Sequence, residues 1–176
     1  MPFPDHADDE RPEATAEELK ALANPLRLRI LRLCLHDART NKELAERLGK
    51  DPATVLHHVR LLVQTGFLAA QPVRTGNRGA LEKPYLATGK SWTLRVNRPE
   101  DQELQLEAMV EAVRDELVEA GAESWMTGAR LGLKLSPKRA KALQRRIDAM
   151  IRDAADADDD PDGDEFGLFV VLHRRS

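Results

Sequence analysis

Between Thr40 and Gly66 the apolar residues recur at helical spacing in two short runs, divided by a glycine and a proline. Leu44, Ala45 and Leu48 share one face of the first run. Gly49 closes it, because glycine takes a left-handed cap without steric cost. Asp51 is placed to cap the next helix, and Pro52 sits at its first position, where a missing N–H costs nothing. Val55, Val59 and Leu62 then recur at i, i+4 and i+7 as an inward stripe. The opposite face of this helix (51–64) presents Ala53, Thr54, His57 and Arg60, with no carboxylate after the cap. A helix of this length spans roughly 20 Å at 1.5 Å per residue, and its first turns fit a major groove about 12 Å wide. An ordinary solvated helix in an all-α domain would show the same face.

Upstream, Met1 to Ala14 holds three prolines and five acids without apolar periodicity, and reads as a disordered arm (1–14). Thr15 and Glu18 have capping-box spacing, so a helix is expected from there to about Ala23, where Asn24-Pro25 breaks it. A second helix is expected over Pro25 to His36, with Leu26, Ile30, Leu31, Leu33 and Cys34 inward and Arg27, Arg29 and Arg32 around them. Downstream, Phe67 to Val73 is extended in character, Thr75 to Gly79 is a turn cluster, and Glu82 to Ala87 can return as a strand. This hairpin (68–87) carries Arg74, Arg78 and Lys83. Behind a DNA-reading helix such cations suit phosphates or the minor groove; in isolation they are ordinary surface charges.

The runs LKALANPLRLRILRLCL, NKELAERLG and ATVLHHVRLLVQTGFL, then a Gly/Arg-rich hairpin closing on KPYLAT, resemble the winged helix-turn-helix of ArsR-type bacterial transcription regulators. The resemblance covers about Ala14 to Trp92, roughly half of the chain. Its most characteristic pieces are Asn-Pro-x-Arg-x-x-Ile-Leu (Asn24 to Leu31) and the His-His pair with the residues after it (His57 to Arg60). It implies a mainly α, α+β protein with a winged helix-turn-helix domain (15–96) and a C-terminal dimerisation or sensing region (97–176). It further implies a homodimer that sets one recognition helix per subunit into successive major grooves of a near-palindromic operator in double-stranded DNA. Metal-sensing members carry a thiolate pair where this chain has Lys42 to Glu46. Others bind zinc through histidines of a C-terminal helix, yet no histidine lies between His58 and His173. Zinc needs about four N, S or O ligands, so no metal and no other cofactor is expected. A metal-responsive repressor of the same fold and a winged-helix protein-interaction adaptor are the rival readings.

The second half extends beyond the family pattern. Ser91 to Val96 is expected as a strand. Pro99 to Ala120 is expected as a helix whose Leu106, Val110, Val113 and Leu117 suit a partner helix, including a second copy of itself. Gly121 ends it. Leu131, Leu133 and Leu135 alternate with small or basic residues, and Ser136-Pro137 opens a helix with Leu143, Ile147, Met150, Ile151 and Ala154 as its stripe. Phe166 to Leu172 is short and apolar enough for a buried strand, expected beside another extended segment such as Ser91 to Val96. Trp92, Trp125, Phe166 and Phe169 are assigned to this appendage as candidates for lining a pocket for a small apolar effector; otherwise they are core.

Charge changes the picture most. The net charge of −3 conceals a basic stretch, Lys20 to Arg95, with 14 Lys+Arg against 5 Asp+Glu, while the remainder carries 13 against 25. A basic module between acidic flanks is what a polyanion binder requires. His57 points outward and suits a base edge or phosphate, whereas His58 lies on the flank of the core. Cys34 is the sole cysteine, so one chain can form neither a disulfide nor a thiolate cluster. No signal peptide or apolar run of membrane-spanning length occurs, which gives a cytoplasmic expectation without a membrane partner. Asp158 to Gly163 opens like a calcium loop, but Phe169 stands at the twelfth position, where a glutamate is needed; an acidic connection is expected. No nucleophile elbow, zinc-protease, P-loop or dinucleotide motif appears, so the chain is not expected to be an enzyme.

Overall fold

Local capping chemistry starts each helix in the first half of the chain. Glu18 Oε2 accepts from the Thr15 N–H at 2.7 Å while Thr15 Oγ1 accepts from the Glu18 N–H, and α1 runs Ala16–Leu22. Asn24 caps α2 (Pro25–Leu33) through the Arg27 N–H. Thr40 and Glu43 form a second reciprocal box at the head of α3 (Asn41–Leu48), which Gly49 ends at φ 59°. Asp51 Oδ1 accepts from the Ala53 and Thr54 N–H groups at the head of α4 (Pro52–Gln64). The computed structural model describes residues 11–76, 79–155 and 163–174.

The strands are β1 (Arg39–Thr40), β2 (Leu68–Ala70), β3 (Arg74–Thr75), β4 (Leu81–Glu82) and β5 (Pro84–Ala87). An antiparallel sheet has the order β1-β5-β2, with Arg39 opposite Tyr85 and Leu68 opposite Ala87. β3 and β4 pair separately as the tip of the hairpin. The core lies between α1 to α4 and this sheet. Ile30, Cys34, Leu44, Val55, Val59 and Leu62 have no exposed surface, and Phe67 and Leu68 close the sheet side.

The second helix stops at Leu33 and not at His36. The Cys34 carbonyl accepts from the Ala87 N–H at 2.8 Å, so a bond to the sheet replaces a further helical turn. Arg27 and Arg29, expected around the outside of α2, are both buried. Ser91 to Val96 is not a strand: Gly89, at φ 75°, turns the chain into the single-turn α5 (Lys90–Thr93). Both edges of β5 are already taken by β1 and β2, so no ladder position remains beside it. Arg95 instead makes an isolated bridge with Glu13, which pins Pro12 to Ala14 to the domain.

α6 (Pro99–Ala120) has the expected bounds and ends at Gly121. It packs against α2 and α1, with Ala108 and Ala112 as its buried residues. Arg29 seals this contact: its Nη2 donates to both Glu119 oxygens at 2.5 Å, with Asp115 at 4.0 Å from Nη1. Leu106, Val110 and Leu117 stay 41–49% exposed.

The chain divides into two compact units between Ala122 and Glu123. In the second, Ser136 Oγ accepts from the Arg139 N–H at the head of α7 (Pro137–Ala155). No described residue after Gly121 is buried, and no described residue there forms a strand. Phe166 to Leu172 is therefore not the expected buried strand; an extended run needs a neighbouring edge, and the described part of its unit has none. Leu131 to Leu135 likewise stays irregular. Trp92 lies in α5, in the first unit, apart from Trp125, Phe166 and Phe169, so the four aromatics do not share one appendage. The residues 156–162, which include most of the acidic loop motif, lie outside the described residues.

Leu44→Ala should lower the unfolding free energy by about 2–5 kcal/mol, since the wholly buried side chain leaves a cavity. Urea denaturation of the full chain measures it.

Candidate nucleic-acid interface

The inner stripe of α4 fixes its rotation. With Val55, Val59 and Leu62 at 0% exposure, a period of 3.6 residues turns Ala53, Thr54, His57 and Arg60 to solvent, and all four are exposed. The face holds no carboxylate once Asp51 has been used by the cap. Asn41 Nδ2 donates to Pro52 O at 3.0 Å and so joins the head of α3 to the head of α4. Lys50, exposed in the turn just ahead of the cap, adds a cation to this end that sequence reasoning passed over.

The two histidines divide as their positions imply. His57 is exposed, and its ring meets His58 edge-on with centroids 5.6 Å apart. His58 is half-buried, with Nδ1 3.3 Å from Arg27 Nη1. Nδ1 must accept there, which leaves the proton of the neutral ring on Nε2. Arg27 also donates through Nε to Ala21 O at 2.6 Å and through Nη2 to Lys20 O at 2.5 Å. One buried guanidinium thus caps the last carbonyls of α1 and braces the middle of α4. Burial pulls the Arg27 pKa down from its ordinary value. The His58 pKa is lowered as well, first by burial, then by Arg27 and His57.

The wing is less free than its cations suggest. Arg74 is exposed but paired: Nη2 donates to Glu43 Oε1 at 2.7 Å and Nε to Glu82 Oε2 at 3.4 Å. Glu43 also serves the capping box of α3, so Arg74 ties the hairpin to that helix. Lys83 is exposed between β4 and β5, and Arg78 lies outside the described residues. The structure therefore brings Ala53, Thr54, His57 and Arg60 onto one face, and places Arg74 in an ion-pair latch. The Thr-x-x-Glu signature at Thr40 to Glu43 was available in the sequence; its partnership with Arg74, 31 residues away, was not.

Two helices joined at a glycine turn, the second capped and bare on its outer face, followed by an antiparallel hairpin, match what comparison finds. A family model described as a helix-turn-helix domain matches residues 22–70. The chain carries a helix-turn-helix domain, with the hairpin of β3 and β4 behind it. A probable mercury resistance operon repressor of Streptomyces lividans is 37% identical over 60 residues, covering 34% of this chain and 48% of that protein. This chain thus spans about half the length of that curated relative. Among solved structures, the homodimeric winged helix-turn-helix DNA-binding domain of Mb0332 from Mycobacterium bovis, a possible ArsR-family regulator, is 27% identical. It covers 58% of this chain and 80% of its own, with a TM-score of 0.35. The cadmium sensor CMTR of Mycobacterium tuberculosis is 24% identical over 48% of this chain and 93% of its own, also at 0.35. At those TM-scores neither superposition bears on the assignment, which rests on the family match and the order of elements.

Cys34 is wholly buried at the end of α2, and burial pushes its thiol up to about 12, so it stays protonated. Among the described residues no three His, Cys, Asp or Glu side chains group as metal ligands. Among them, too, no helix is long and apolar enough to cross a membrane.

The winged helix should weaken in mild acid through His58. Its folded pKa lies below the ordinary 6.5, so between the two values the unfolded chain binds more protons and stability rises with pH. The His58 contribution is constant above 6.5 and declines as pH falls below it, before Glu18 and Glu43 begin to protonate near or below their ordinary 4.5. His58→Gln should flatten the pH dependence of the urea midpoint between 4.5 and 6.5; an unchanged slope would assign that titration to another group.

Proposed function

We propose that this protein is a non-enzymatic transcriptional regulator that binds double-stranded DNA as a homodimer at a near-palindromic operator, without metal sensing. The observation that carries the reading is the exposed, carboxylate-free face of α4 above a wholly buried inner stripe. Such a helix enters a major groove with its N-terminal turns, and the basic balance of Lys20 to Arg95 supplies attraction to phosphates. In this reading Thr54, His57 and Arg60 read base edges, and Ala53 lets the backbone approach. Lys83 and Arg78 serve phosphates or the minor groove. Arg74 joins them only when its pairs with Glu43 and Glu82 open; otherwise it fixes the angle of the wing.

The homodimer is supported by α6, whose Leu106, Met109, Val110 and Leu117 remain exposed while Ala108 and Ala112 are used within the chain. Four large apolar side chains along one helix suit a matching helix better than water. The metal-free reading is supported by the protonated, buried Cys34.

Electrophoretic shifts with duplex from the chain's own upstream region, at fixed salt, test the reading against random duplex. Arg60→Ala should weaken the upstream complex by about 1–3 kcal/mol and leave random duplex unaffected; equal losses on both would make Arg60 a phosphate contact. Val110→Glu should leave the fold intact, because its side chain is 49% exposed, and shift the protein to monomer in sedimentation equilibrium. A wild-type protein that sediments as monomer at all concentrations would remove the homodimer.

A further inference from the structure

The far end of α4 is held by groups from beyond β5. The last turn of α4 contains no basic residue, and its carbonyls at Leu61, Leu62 and Val63 accept from the N–H groups of Thr65, Phe67 and Gly66, so the negative end of its dipole and the carbonyls that follow look to donors from elsewhere. Lys90 Nζ donates to Thr65 O at 2.7 Å, Thr88 Oγ1 to Gly66 O at 2.7 Å, and the Thr88 N–H to Phe67 O at 3.0 Å. Successive carbonyls from 65 to 67 are thereby taken by two residues. The same ammonium pairs with Glu18 Oε1 at 2.5 Å and lies 5.4 Å from the centroid of the Phe67 ring. Glu18 uses its other oxygen to close the capping box of α1, so one carboxylate serves two elements. The hydrogen bond from Lys90 is also the chief cause holding the Glu18 carboxyl below its ordinary pKa. Gly66 holds φ at 77°, a conformation that favours glycine, and a Cβ there would make only ordinary contact with Lys90 Nζ, at 3.4 Å.

We propose that Lys90 is a positioning residue for DNA recognition, its ammonium fastening the exit of α4 to the head of α1 and touching no phosphate. The proposal rests on α4 being the recognition helix. A helix roughly 20 Å long that tilts by about 5° at one end moves its other end by roughly 2 Å. Base-edge hydrogen bonds tolerate only a few tenths of an ångström. A loosened exit therefore degrades base readout at Ala53 to Arg60 while phosphate contacts, which need only proximity, persist. Lys90 falls within the basic module, yet its charge is engaged inside the fold.

The test uses the full chain with Lys90→Gln, Lys90→Arg, Glu18→Gln and the Lys90→Gln/Glu18→Gln pair. Binding to the upstream duplex and to random duplex is followed over a salt series, with amide hydrogen exchange on the free proteins. Lys90→Gln should lower upstream affinity about tenfold, leave random duplex and the salt slope unchanged, and speed exchange at 61–67 selectively. Glu18→Gln should do the same, the pair should add little, and Lys90→Arg should retain most of the affinity. A salt slope reduced by about one, or equal loss on both duplexes, would make Lys90 a phosphate contact and overturn the proposal. Should Lys90→Gln not fold, Glu18→Gln carries the same comparison. Failure of the wild type to prefer any duplex would defeat the regulator reading by itself. Exchange would still decide the clamp: unchanged rates at 61–67 in the variants sink it, and local acceleration upholds it.

Discussion

Burial of one side of α4 is the constraint from which the functional surface follows. Val55, Val59 and Leu62 have no exposed area, and each fully buried aliphatic side chain contributes about 1.5–3 kcal/mol relative to exposure. Rotating the helix to hide Arg60 or His57 would expose that stripe, a cost of several kcal/mol against a domain stability of about 5–15. The outward face is thus held open by the inward one. The cap at Asp51 and the bond from Asn41 to Pro52 O hold the start of the helix, and the donors of Thr88 and Lys90 hold the chain at its exit.

Charge inside the domain is organised around that helix. Arg27 reaches α1 carbonyls and His58, Lys90 reaches Glu18 and Thr65, and Arg74 reaches Glu43 and Glu82. Each cation joins α4 or the wing to a different element. A buried guanidinium without such partners would carry a desolvation cost that three well-placed acceptors offset. Part of the basic excess is therefore structural, while among the described residues Arg60, Lys83 and Lys50 are exposed and belong to the cations left for a polyanion.

Much of this was legible along the chain because it is local. Thr15 with Glu18, Asp51 with Pro52, and Gly49 act within a single turn, so helix starts and stops follow from neighbours in sequence. The same signature at Thr40 and Glu43 was equally readable and was passed over. The Leu106 to Leu117 stripe was legible as periodicity, whereas its exposure, with Ala108 and Ala112 buried in its place, was not. Strands were the weak point. Residues 91–96 and 166–172 have strand-like composition, yet a strand exists only where another edge accepts it.

The sequence by itself determined the helices of the first half, the rotation of α4, and the four residues on its outer face, since all depend on spacing within one segment. Tertiary structure alone decided which charges are available. Arg27, Arg29, Arg74 and Lys90 look alike in the chain, but His58, Glu119, Glu43 and Glu18, which engage them in turn, arrive from segments far away in sequence. Electrostatic pairing depends on distance in space, and only the folded backbone sets that distance.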